Sequence, residues 1–148
     1  MNGYEIVKYL HSGFRFVVLL LIVLAILTAL AGWLGKKAYT QGNRKLYLFA
    51  MISAHTQLLI GIALYFLSPF VQFGSNTMKA PDIRYWTVEH LTMMLVAIVL
   101  ITIGHSKSKK AVLPEAKHRA VAIFYLLAVV IIVAAIVLAK RPLLGITA

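Results

Sequence analysis

The chain has 148 residues, 61% of them hydrophobic and 13% charged, with a mean hydropathy of +0.89; a soluble domain has a different balance. No cysteine is present, which excludes a disulfide framework, a thiolate metal site, an iron–sulfur cluster and covalent c-type haem attachment. The formal charge of +11 would suit a nucleic-acid footprint, but Lys and Arg gather at the ends of apolar runs, where snorkelling cations meet lipid headgroups, so nucleic acid is not an expected partner.

Four charge-poor runs cover residues 16–34, 46–73, 85–104 and 120–139. Each reaches the ~20 apolar residues that a bilayer-crossing helix needs. The expected fold is all-α, a single transmembrane domain over 1–148 arranged as an up-down-up-down four-helix bundle. Its helices are expected at about 11–35, 45–68, 84–105 and 114–140. The lipid bilayer is its first partner, and the bacterial cytoplasmic membrane its expected location.

In chain order, residues 3–10 are mildly amphipathic, lying at the interface or extending the first helix. That helix is longer than the ~7–15 apolar residues of a secretion signal, so it is expected to be retained. A polar connection follows, in which Gly42-Asn43 reads as a turn. Helix two ends near Ser68-Pro69, because proline disfavours helix at the residue before it. The loop over 70–83 begins with Phe70, Val71 and Phe73 and is expected to rest partly on the membrane surface. Helix three is followed by a basic loop and by Pro114, suited to a helix's first turn. Nine cations lie in the first and third connections, against six on the other side. The positive-inside rule then places both termini outside.

Ionisable groups inside such helices are costly and mark candidate sites. His55 lies deep in helix two, ~20 Å from its end at 1.5 Å rise per residue, within a polar collar of Ser53, Thr56 and Gln57. His90 lies ~9 Å into helix three, and its face continues through Met93, Met94, Ala97, Ile101 and Gly104. Polarizable methionine and small residues suit the edge of a macrocycle and equally suit close helix packing. His11 and Arg15 are four apart on one helical face; the guanidinium of Arg15, or of Arg84, forks onto carboxylates such as haem propionates. Glu89 has Arg84 and Arg15 as the cations nearest its depth. His118 and His105 sit at the opposite boundary, where a core histidine or a helix-dipole partner is the plainer reading.

Histidines that face inward from a four-helix membrane bundle suggest haem. Two axial ligands must share a depth, which pairs His90 with His55 or with His11; a second haem would need His55 with His118, about two turns apart. One b haem is therefore expected, with a second haem or a quinone as the alternatives.

Three stretches carry a resemblance: Leu10-His11-Ser12-Gly13-Phe14-Arg15; His55-Thr56-Gln57-Leu58-Leu59-Ile60-Gly61 with Tyr65-Phe66 and Ser68-Pro69; and Thr87-Val88-Glu89-His90 running to Ile103-Gly104. In these the chain resembles small bacterial four-helix membrane proteins labelled cytochrome b-like. The resemblance covers most of the chain. It implies a b-type haem with iron ligands among His11, His55 and His90.

The expected function is that of a membrane cytochrome b. It passes electrons between quinol and a partner protein, or carries haem within a larger membrane complex, with a homodimer as one possible assembly. Two alternatives stay open. One is a non-haem accessory subunit of a respiratory or transport complex. The other is a quinone- or proton-handling module built on Glu89, His90 and Gln57. No phosphate loop, zinc-protease motif or nucleophile elbow is present, so the chain is not expected to be an enzyme on its own.

Overall fold

The computed structural model describes residues 2–139. Four long helices account for most of them: α1 (Gly3–Leu34), α2 (Gln41–Leu67), α3 (Pro81–Lys110) and α4 (Pro114–Leu138). No strand occurs among the described residues. Each helix packs on its neighbours in sequence and α4 closes back onto α1, so the order around the bundle is α1, α2, α3, α4. α1 and α3 therefore stand on one diagonal. All four helices are long and apolar enough to cross a membrane.

Their outward faces fit that environment. Leu20, Leu27, Leu59, Phe66 and Val130 are all exposed, a covering of apolar surface that a monomer in water does not present. The chain is a multi-pass membrane protein.

Helix ends differ from the expected ones for local reasons. The α1 helix starts at Gly3, because the Asn2 side chain accepts a hydrogen bond from Glu5 N at 2.9 Å and satisfies a first-turn donor; residues 3–10 extend the helix. The turn expected at Gly42-Asn43 is instead the first turn of α2. Thr40 caps it, accepting from Asn43 N at 3.1 Å while the Asn43 side chain accepts from Thr40 N at 3.0 Å, the reciprocal bonding of a capping box. Pro81 opens α3 earlier than expected, and Lys117 Nζ donates to the carbonyls of Ser108 and Lys109 at 3.1 and 3.2 Å where α3 ends. The expected end of helix four at residue 140, with Lys140 and Arg141, lies outside the described residues.

One irregularity has consequences for the site. Tyr85–Glu89 form a π turn inside α3, where His90 N donates to Tyr85 O. A π turn stacks residues five apart, and such turns recur at functional sites. Arg84 meets Glu89 through it, Nε to Oε1 at 2.7 Å.

Packing is close at one end of the bundle and open at the other. Toward the His118 end, Ala25, Ala29, Ala50, Ala54, Ala122 and Ala128 are buried to 1% exposure or less, and such small residues let backbones approach. The ring of His118 lies so near Gly32 that a Cβ there would overlap it. Of the neighbouring helix pairs, α2 and α3 pack least closely, and at the His90 end a cavity fills the centre.

Candidate cofactor-binding site

The cavity encloses about 1420 Å³ of space between the helices, its open mouth and the solvent in it included. It takes the first half of α1, the second half of α2, the first half of α3 and the end of α4 as walls. Phe70 and Val71 fold over it from the α2–α3 loop. That loop is tied to the π turn: Gln72 N donates to Thr87 Oγ1 at 3.0 Å, and Tyr65 donates from α2 to Thr87 O at 2.8 Å. The apolar start expected to rest on the membrane thus also lines the cavity, while Phe73 stays 77% exposed.

His11 enters from α1. Its Nδ1 is buried without a hydrogen-bond partner, as is Oε1 of Gln57. Gln57 Nε2 donates to the His11 carbonyl at 2.8 Å, which holds α2 against α1 at this level. Gly61 leaves room for the ring: an added Cβ would lie 3.2 Å from His11 Cε1. A buried imidazole nitrogen with no partner is expensive in an apolar interior, which makes His11 a candidate to hold a ligand.

His90 enters from α3, across the diagonal. The two imidazoles stand 6.4 Å apart between ring centroids, with planes at 80°. Trp86 packs on the His90 ring at 5.1 Å. The Tyr85 hydroxyl lies 3.5 Å from His90 Nδ1 and donates to Ala135 O on α4. Tyr85 is 5 before His90, a spacing that only the π turn brings to one face.

Two cations complete the lining. Lys8 and Arg15 flank His11 on the α1 face and both border the cavity, and Arg15 also lies over Phe16 at 5.0 Å. No carboxylate lines the cavity among the described residues. The electrostatics therefore favour a ligand that is mostly apolar and carries negative charge at one edge.

Of the residues singled out in the sequence, His11, Arg15, Gln57, His90 and Met94 gather here. Arg84 does not; it holds Glu89 beside the cavity, so the set Glu89, His90 and Gln57 is not assembled around one space. His55 lies nearer the opposite end, with Nε2 2.9 Å from Thr102 Oγ1. Thr102 gives its own proton to Ile98 O at 2.8 Å, so His55 is the donor and ties α2 to α3. The fully buried His118 is further still. Tyr47 OH lies 2.7 Å from its Nδ1 and Ala38 O lies 3.1 Å from its Nε2. Both ring nitrogens are engaged, Nε2–H donating to the carbonyl and Nδ1 accepting from the phenol. His105 is half-buried in the last turns of α3 and does not reach the cavity.

Sequence reasoning passed over Lys8, Gly61, Tyr85 and Trp86. Lys8 was legible, being three before His11 and seven before Arg15 on one helical face. Tyr85 was not, since no residue pattern announces the π turn. Among the described residues no three His, Asp or Glu side chains converge as a metal cage; a metal in this cavity would rest on two imidazoles and on donors that the protein does not supply. No protein-family model matches the chain, and no curated protein or solved structure does either.

Proposed function

We propose that the protein is a membrane cytochrome b whose single haem occupies the cavity between His11 and His90. The observation that carries this reading is the facing pair of imidazoles, 6.4 Å between centroids. Two imidazoles this close could share one metal between them. The partnerless His11 Nδ1 and the absence of a lining carboxylate among the described residues support it. The resemblance to cytochrome b-like proteins points the same way.

In this reading His11 and His90 would hold the haem iron, and Lys8 and Arg15 would meet the haem carboxylates. Trp86, Leu58, Met94 and Ile98 keep water from the centre and lower the local dielectric, which tunes the potential. The bound group supplies reversible one-electron chemistry, here between quinol in the bilayer and a redox partner or within a larger membrane complex. The expected setting is the bacterial cytoplasmic membrane with the His90 end outside.

A visible spectrum tests this directly. Protein purified in mild detergent from haem-replete cells is expected to show a Soret band and, on reduction, a sharp α-band of low-spin six-coordinate haem. Acid–organic extraction removes the haem, because there is no cysteine to hold it. A colourless, fully helical protein overturns the proposal and favours the accessory-subunit reading. That second reading has its own observation: His55 and His118 each serve as interhelical hydrogen-bond ties.

A further inference from the structure

We infer that Tyr85 is the positioning residue of this site, setting the tautomer of His90 so that Nε2 is the electron-pair donor. The proton assignment follows from the chain of bonds. The carbonyl oxygen of Ala135 only accepts, so the Tyr85 hydroxyl spends its proton there. What Tyr85 presents to His90 Nδ1 at 3.5 Å is then a lone pair. That favours a proton on Nδ1 and leaves Nε2 unprotonated. Metal-bound histidines commonly donate their other ring N–H in this way, which fixes the ring and raises its basicity. At 3.5 Å the bond is at the long limit, so Tyr85 biases the tautomer rather than locking it.

The surrounding structure is built for that bias. Tyr85 is 7% exposed, which shields the contact from water. The π turn puts the phenol on the His90 face, and Trp86 packs on the ring at 5.1 Å and restricts its rotation. Tyr85 meets the ring at Nδ1 and also borders the cavity with its own side chain, so the tautomer and the potential, rather than binding alone, read its effect on His90. The functional consequence rests on the haem reading; the tautomer itself does not.

The test uses the full chain without haem, labelled with ¹⁵N-histidine in mild detergent, with His90→Gln assigning the resonances. Wild-type His90 is expected to carry its proton on Nδ1, and Tyr85→Phe to move population to Nε2–H. Titrated with haem, Tyr85→Phe is expected to bind about 10–100-fold more weakly. Its midpoint potential is expected to rise, because an imidazole that has lost its acceptor is a poorer donor to the oxidised metal. A merely structural tyrosine would change stability and leave tautomer and potential alone. An Nε2–H tautomer in the wild type, or the same tautomer in both proteins, overturns the role of Tyr85. The wild-type spectrum decides this even where the variant does not fold. Failure to take up haem would remove the haem reading while the tautomer result stood.

Discussion

His11 and His90 belong to helices on opposite corners of the bundle, yet their rings are edge to face, 6.4 Å apart at 80°. No helix lies between them: both rings border the central cavity, and Gly61 keeps a side chain out of the space beside His11. His55, at a depth that the sequence alone allowed for the same role, instead faces Thr102 on α3.

That contrast separates two substitutions. His11→Ala is expected to eliminate the low-spin haem spectrum or convert it to a high-spin one. His55→Ala is expected to leave the spectrum unchanged and to lower stability modestly, since interhelical hydrogen bonds in membranes average ~0.6 kcal/mol and reach ~1.7. Reduced-minus-oxidised spectra and unfolding in mixed micelles measure the two effects. Equal spectral loss in both variants would refute the assignment of His11.

Filling the cavity at Gly61 is a steric version of the same test. A Cβ there sits 3.2 Å from His11 Cε1, so the ring must yield slightly to alanine and must leave its place for leucine. Gly61→Leu is expected to cost about 1–3 kcal/mol from overpacking and to abolish haem uptake with helix content intact. Gly61→Ala is expected to retain haem. Full occupancy in the leucine variant would move the site elsewhere.

At the other end, Gly32→Ala drives a methyl group into the His118 ring. That ring has two hydrogen bonds and 1% exposure, so it has nowhere to go. The loss is expected at or above the upper end of the ~1–3 kcal/mol typical of overpacking. It should exceed the effect of Gly13→Ala, where an added Cβ meets nothing within 4 Å. Chemical unfolding of the two variants side by side makes the comparison, and equal midpoints would contradict it.

Tyr39, in the connection between α1 and α2, packs against the His118 ring at 5.5 Å, and burial holds its phenol above the ordinary tyrosine range. A raised folded-state pKa means stability that is whole below the unfolded value of about 10 and is lost as pH rises toward the folded value, since the unfolded chain releases its proton first. Unfolding free energy is expected to fall above about pH 10, less steeply in Tyr39→Phe. Identical alkaline limbs would remove Tyr39 from the cause.

Orientation follows from the basic connections. In intact cells an impermeant maleimide is expected to label Asn76→Cys and to spare Lys109→Cys; the chain has no cysteine to confuse the signal. The reverse pattern would turn the bundle over.

The amino-acid sequence by itself determined the four membrane-spanning helices and their order, because transfer into lipid depends on the local sum of apolar residues along about twenty positions. It also placed His11, Arg15, Gln57, His90 and Met94 on the list from which the cavity is drawn. Tertiary structure alone decided which histidine faces His90. Position along one helix is readable from rise per residue, but the axial offset between helices is set by packing: His55 meets Thr102, twelve residues past His90 and so ~18 Å along α3, while His11 comes level with His90. The same holds for Tyr85 and for the Arg84–Glu89 pair, whose five-residue spacing becomes a contact only through a π turn. That turn depends on partners from other parts of the chain: Tyr65 of α2 donating to Thr87 O, and Gln72 of the loop donating to Thr87 Oγ1.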